Sequence, residues 1–408
     1  MAGVAAAAMS CALLAACGSA NDDVRYLPVV TWQVGPDRLD AQALAKTCTD
    51  QAAGDYSVEV EQLPDDVSAR HALLTRRLLS KDDSIDLVSL DSAFTTEFAA
   101  AGLLAPVPAA QAAALSEGVT PAALAAASHD GELVVAPWFL DPQVLWLRGN
   151  VAERAGLDTS KPISWDDLVA GAQRLGVTIE IEDRDGSGLS EWVNALVAGG
   201  GGSLVSGTGR SSKAGLESAA GREAASIVEL YRGAGVGPGP SAEAAARFAG
   251  PGGGFLIAST SVISDPALSA VQSDMRVAGY PTVGDASVAP LAGVGLAVPA
   301  HAFDKRTAFR AIECLTSPAS LQALATGPQH TPSRIGVLDD PTVAAGFRSA
   351  DLARAAASTG TTVPSVAQWA NVMDALDETW RPLSDVTQDA TPRTSQPEVQ
   401  AALEGTIR

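Results

Sequence analysis

Residues 291–318 read LAGVGLAVPAHAFDKRTAFRAIECLTSP. An uncharged apolar run with two glycines comes first, long enough for one strand buried on both faces. Pro299 closes it. From Asp304 onward, Phe309, Ile312 and Leu315 recur on one face at helical spacing, and Ser317-Pro318 stops that helix and opens another over 321–325. The same rhythm runs through the first hundred residues. Strands are predicted over 27–33, 56–63 and 84–90, and helices over 39–52, after Pro64-Asp65-Asp66, and over 93–101. Strand–helix alternation of this kind predicts a parallel sheet with helices on both faces, an α/β fold.

Further along, residues 109–127 pattern as two short alanine-rich helices. Residues 132–137 and 144–148 read as two extended segments around 138–143. Ser164 is placed to cap a helix with Asp166 and Asp167 in its first turn. Then come strands over 177–181, 255–260 and 275–281, helices over 189–197, 217–233 and 242–249, and closing helices over 365–383 and 398–407. No internal repeat or heptad is visible.

A length of 408 residues exceeds what one hydrophobic core usually supports, so two domains of roughly 150–200 residues are expected. Hydrophobic content of 47% against 18% charged residues fits a globular chain. The 27 basic and 47 acidic residues leave a net charge of −20, which argues against nucleic acid as a partner, since phosphate neutralisation needs a basic face.

The first sixteen residues carry no charge and are apolar or small, as in the apolar region of a signal peptide. They end in Leu14-Ala15-Ala16-Cys17-Gly18, which resembles the bacterial lipobox. This implies cleavage before Cys17, its lipidation, and a tether over 18–26. An ordinary signal peptide with an incidental cysteine is the alternative. No Lys or Arg precedes the apolar run, so the start assigned to the chain fits a site downstream of the true one.

Three stretches carry a resemblance to a family. The 291–318 stretch with its DKRTA helix and TSP restart, the segment ending AGLLAPV at 107, and GELVVAPWFLDPQVLWLRGN at 131–150 are similar to the sugar-type solute-binding proteins of ABC importers. The resemblance implies a two-lobe, periplasmic-binding-protein-like (Venus flytrap) fold with crossing segments near 138–146 and 286–292. The implied N-terminal lobe is 27–140 plus 290–337, and the C-terminal lobe is 141–289 plus 338–408. Within the family, LDSAFTTEFAAAG, APWFLDPQVLWLR, GLSEWVN and Cys48 look most like the trehalose-recycling lipoproteins of mycobacteria and their relatives. Two departures leave the sugar open: Ser261-Val262 stands where those proteins carry a cleft tryptophan, and no arginine stands directly after Gly360. The resemblance also puts the helices of Cys48 and Cys314 in one lobe. A disulfide is then geometrically possible, with two separate buried thiols as the alternative.

Sugar binding needs aromatic faces for the C–H side of a ring and planar polar groups for its hydroxyls. Seven tryptophans among only 5% aromatics is an odd allocation. Trp32, Trp138, Trp192 and Trp369 lie near strand ends, crossings or helix starts, where an open α/β sheet presents ligands. Trp369 is the strongest candidate, because the family places a stacking aromatic there. Plain packing is the competing role for each, and Trp146, Trp165 and Trp380 are assigned to it. Asp91, at the end of the third strand, and Asp141, in the crossing, are polar candidates with a capping role as the alternative. Gln33 and Gln143 are weaker ones, and Gly293 lies on the returning strand. Asp183–Gly188 shares positions with a calcium loop but has Asn194 at position twelve, so a turn capping the next helix and edging the cleft is the better reading. Gly199–Gly202 lacks the Lys and Ser/Thr of a phosphate loop. No Ser-His-Asp order or paired-carboxylate context stands out, and the 4 His are scattered.

The expectation is a non-enzymatic, monomeric, lipid-anchored receptor on the outer face of the cell membrane. It needs no cofactor or metal, closes around a neutral or weakly polar carbohydrate, and serves an ABC permease. A ligand-free envelope scaffold of the same fold is the alternative, and a glycosidase comes third.

Overall fold

The computed structural model describes residues 27–406. The lipobox with Cys17 and the tether lie outside the described residues. A ten-stranded mixed sheet curls through the chain. Its strands are β1 (Val29–Val34), β2 (Ser57–Gln62), β3 (Leu87–Asp91), β4 (Ala136–Arg148), β5 (Thr178–Glu182), β6 (Pro240–Ser241), β7 (Gly253–Ser259), β8 (Met275–Ala278), β9 (Leu291–Ala297) and β10 (Thr331–Pro332). The path runs β6-β5-β7-β4-β9-β3-β1-β2, with β8 and β10 also paired to β4. The architecture is a two-lobe α/β fold.

One strand joins the two ends of this sheet. β4 pairs antiparallel with β9 from Ala136 to Pro142, then with β7 from Gln143 to Leu147. Sequence patterning expects two extended pieces here, because Pro137 and Pro142 cannot donate to a ladder. The structure makes one continuous strand of thirteen residues. The ladder accommodates the prolines by a register irregularity between Val294 and Gly295 opposite Pro137, and by placing Pro142 at the last β9 pair.

The helices that position the junction are α1 (Ala41–Gln51), α2 (Val67–Leu79), α3 (Trp165–Leu175), α4 (Gly188–Gly199), α5 (Lys305–Leu315), α6 (Trp369–Trp380) and α7 (Thr391–Leu403). Short polar side chains start several of them. Asp40, Asp66, Ser164 and Asp304 each accept a backbone N–H of the first turn, at 2.8–3.0 Å. The expected closing helix over 398–407 begins earlier, at Thr391 with Pro392 in its first turn, and runs through Pro397 while packing on α6. No helix among the described residues is long and apolar enough to cross a membrane.

Cys48 on α1 and Cys314 on α5 form a disulfide across a sequence separation of 266, with their Cα atoms 5.8 Å apart. Closing so long a loop restricts the unfolded chain strongly. A Cys48→Ser/Cys314→Ser double variant is expected to lose about 2–5 kcal/mol of unfolding free energy. Denaturant titration measures it, and reductant should remove the same increment from the unmodified protein and nothing from the variant.

Candidate ligand-binding site

The carboxyl ends of parallel strands meet at the middle of the molecule, the place where α/β sheets present ligands. Asp37 and Arg38 follow β1, and Asp91 ends β3. From the other half, Glu182 ends β5, Asp183, Arg184 and Asp185 follow it, and Asp265 lies beyond β7. Asp141, at the centre of β4, stands between the two sets.

Three arginines tie the halves together. Arg38 reaches Glu182 at 2.7 Å and Asp265 at 3.1 Å. Arg70, on α2, donates to Asp91 at 2.9 Å and Asp185 at 2.6 Å. Arg184 lies 3.3 Å from Asp141 and 3.8 Å from Asp37. Asp141, only 1% exposed, also accepts from Ser261 Oγ at 3.1 Å and contacts His330 Nδ1 at 2.9 Å. The buried His330 ring lies on Phe139, with centroids 4.2 Å apart. Its Nδ1 carries the proton toward Asp141, since a carboxylate can only accept.

Burial alone would raise the Asp141 carboxyl; His330, Arg184 and the Ser261 hydroxyl overcome it and hold the group below the ordinary carboxylate value. Burial likewise opposes ionisation of Asp185, and Arg184, Arg70 and Ser187 reverse the effect and lower it. Asp37 has weaker support, so burial raises it. Glu191, in the first turn of α4, is pushed up to about 8 by burial and by Asp185, against the opposing Ser187 hydroxyl and the Arg184 charge.

Between these groups a cavity of about 20 Å³ remains, lined by Asp141, Gln143, Glu182, Arg184, Asp185 and Glu191 among others. That is room for about one water molecule and not for a sugar ring. A separate groove of about 810 Å³, sharing no lining residue with that cavity, opens between Thr96 and His129 on one side and Arg210 and Gln368 on the other.

The aromatic candidates sit elsewhere than expected. Trp32 and Trp138 meet edge to face at 5.6 Å inside the β1–β3 half, their indole N–H groups taken by Ser89 Oγ and the Leu315 carbonyl. Trp192 packs against Trp165 and Tyr231 inside the other half. Trp369 is 1% exposed and shares a hydrophobic cluster with Phe94, in the turn that follows Asp91 and on which α6 packs. None of the four lines the polar cavity. The reason is periodicity: Trp32 shares a strand face with Val30 and Val34, and Trp369 shares a helix stripe with Val372, Met373 and Leu376. Gln33 is engaged by Glu61. Gly293 lies on β9, where a Cβ would come within 3.1 Å of Leu140 and Ser92. Asp91 and Asp141 are thus the expected residues that join the junction, and Gln143 lines it. Asp37, Arg38, Arg70, Glu182, Asp265 and His330 went unread, although Asp183–Gly188 does edge the cleft and cap α4: Asp183 Oδ1 accepts the Gly186 and Gly188 N–H groups.

A match to the bacterial extracellular solute-binding proteins covers residues 12–322. This chain belongs to that family. Like the family, it is a solute-binding protein and not an enzyme. Among solved structures, maltose-bound MalE3 of T. maritima is similar at 22% identity over 91% of this chain and 98% of its own, with a TM-score of 0.79. The GacH receptor of Streptomyces glaucescens, solved unliganded and with acarbose, is 17% identical over 93% and 100%, with a TM-score of 0.79. A solute-binding protein from Thermotoga lettingae bound with α-D-tagatose is 18% identical over 92% and 100%, with a TM-score of 0.77. These likenesses carry the two-lobe fold.

For this solute-binding protein, the raised Glu191 carboxyl has a consequence for stability. Its folded value of about 8 lies above its ordinary 4.5, so the folded chain holds a proton that the unfolded chain releases between those values. The contribution is therefore full below pH ~4.5 and lost as pH rises through ~8. Thermal midpoints are expected to fall between pH ~5 and ~8, and Glu191→Gln should flatten that slope. An equally steep profile in the variant would contradict the assignment.

Proposed function

We propose that the chain is the lipid-anchored substrate-binding component of an ABC importer, capturing a carbohydrate by closure of its two lobes. In this reading Cys17 carries the anchor, the protein stands as a monomer at the outer face of the cell membrane, and the lobes are 27–140 plus 290–337 and 141–289 plus 338–408. The observation that carries it is the set of arginine–carboxylate pairs spanning the junction around Asp141. Planar charged groups of this kind exchange one another for ligand hydroxyls when the halves part and close again. The sugar ligands named for the neighbouring structures support the class. Resemblance to the trehalose-recycling lipoproteins favours a disaccharide of that size, and the 810 Å³ groove beside α6 has volume for one.

Asp91, Asp141 and Gln143 are the proposed hydroxyl partners. Trp369 is the proposed apolar wall, exposed only when α6 withdraws from the turn after Asp91. Trp32, Trp138, Trp192, Gln33 and Gly293 act behind the site by fixing the strands that present it. A second reading, an envelope scaffold of the same fold, draws on the ion pairs that Arg38, Arg70 and Arg184 make across the junction.

Tryptophan fluorescence titration against a panel including trehalose, maltose and tagatose separates the two. A saturable change that is weakened about 10–100-fold by Asp141→Asn, the loss expected for a charged hydrogen bond, supports the receptor. No saturable change with any sugar supports the scaffold.

A further inference from the structure

The acids around the 20 Å³ cavity outnumber the cations that serve them. Asp141, Glu182, Asp185 and Glu191 line it, with Arg184 as the one guanidinium among the lining residues. Arg38 and Arg70 reach in from outside, but each is shared with a further carboxylate, Asp265 and Asp91 respectively. Among the described residues Glu191 makes no salt bridge, Arg184 acting on it only at longer range, and it accepts one hydroxyl, from Ser187. A second observation is independent of charge. Gln143, only 6% exposed, lines the same cavity, and its Oε1 has no hydrogen-bond donor. A buried carbonyl of this kind is costly unless something donates to it.

Ligands of the opposite charge find no welcome here. The N-terminus of α4 would be the natural seat for an anion, yet Asp183 already occupies its Gly186 and Gly188 N–H groups. The remaining unmatched donor is Arg184 Nε, buried and without a partner, which suits a single hydroxyl. The geometry points to a ligand that brings a positive charge together with hydroxyls. Resting on the carbohydrate reading above, we propose that the natural class is an amine-bearing sugar or aminocyclitol whose ammonium sits between Glu191 and Gln143 Oε1. This departs from the neutral carbohydrate that composition and resemblance suggest. On binding, the ammonium takes the place of the proton that Glu191 retains, donates to both acceptors, and offsets the excess of carboxylates in a site largely closed to water, where such an attraction is strongest.

Isothermal titration of the full chain in detergent, using matched probes at one pH near neutrality, tests it. The pairs are trehalose with 2-amino-2-deoxytrehalose, and N-acetylglucosamine with glucosamine. Each amine is expected to bind at least tenfold tighter than its neutral partner. Glu191→Gln should reduce that preference to less than threefold, and Gln143→Leu should reduce it in the same direction; thermal midpoints verify that both variants are folded. Neutral sugars binding as tightly as the amines would overturn the inference and leave the carbohydrate reading standing. Putrescine binding where no sugar binds would overturn the carbohydrate reading and the sugar part of the inference, leaving only an ammonium site. Binding by none of the probes would overturn both. A preference untouched by both variants would overturn the placement at this cavity.

Discussion

Three buried guanidiniums hold the two halves of this protein against each other. Arg38 reaches across to Glu182 and Asp265, Arg70 joins Asp91 of its own side to Asp185 of the other, and Arg184 reaches across to Asp37 while pairing with Asp141; each is at most about a fifth exposed. Such pairs are poor sources of net stability, because desolvating both ions offsets most of their attraction. Their value lies in being exchangeable. A hydrophobic seam of the same area would close the lobes and keep them closed, whereas ion pairs re-hydrate readily when the halves separate. A ligand then shifts the balance by the difference between its contacts and those it displaces, and by no more than that difference.

The network is usable only because its backbone supports are rigid. β4 enters both halves of the sheet, so Asp141 is fixed relative to β9 on one side and β7 on the other. His330 packs on Phe139 from that strand and orients the Asp141 carboxylate. Behind the site, the Trp32–Trp138 pair and the bridge between α1 and α5 stiffen the half that carries Asp37, Arg70 and Asp91. Trp32, Trp138 and Trp192 therefore pack behind the junction, whose small cavity is lined by polar side chains.

The unequal supply of cations gives the junction its character. Where an arginine serves a carboxylate well, as with Asp141 and Asp185, the acid stays ionised despite burial. Where no arginine pairs directly, as with Glu191, burial outweighs the Ser187 hydroxyl and the more distant Arg184, and the proton is retained. Two neighbouring carboxylates on one loop–helix unit thus take opposite protonation behaviour from their distances to guanidinium groups, a distinction set by the environment.

Much of the frame was legible in the residues alone. The apolar run at 291–297, the stripe Phe309, Ile312 and Leu315, and the capping acids at Asp40, Asp66 and Asp304 specify strand, helix and boundary through local periodicity and backbone hydrogen bonding, which depend on near neighbours in sequence. The core placement of Trp32 and Trp369 follows from the same periodicities, which put both on apolar faces although they lie near a strand end and a helix start. The pairing of Arg70 with Asp185, of Arg38 with Glu182 and of His330 with Asp141 left no such trace. Those contacts join residues more than a hundred positions apart through flexible side chains with no period to read. The sequence by itself determined the elements and the family; only the tertiary structure decided which charges meet, because burial and distance across the junction exist only once the two halves have folded together.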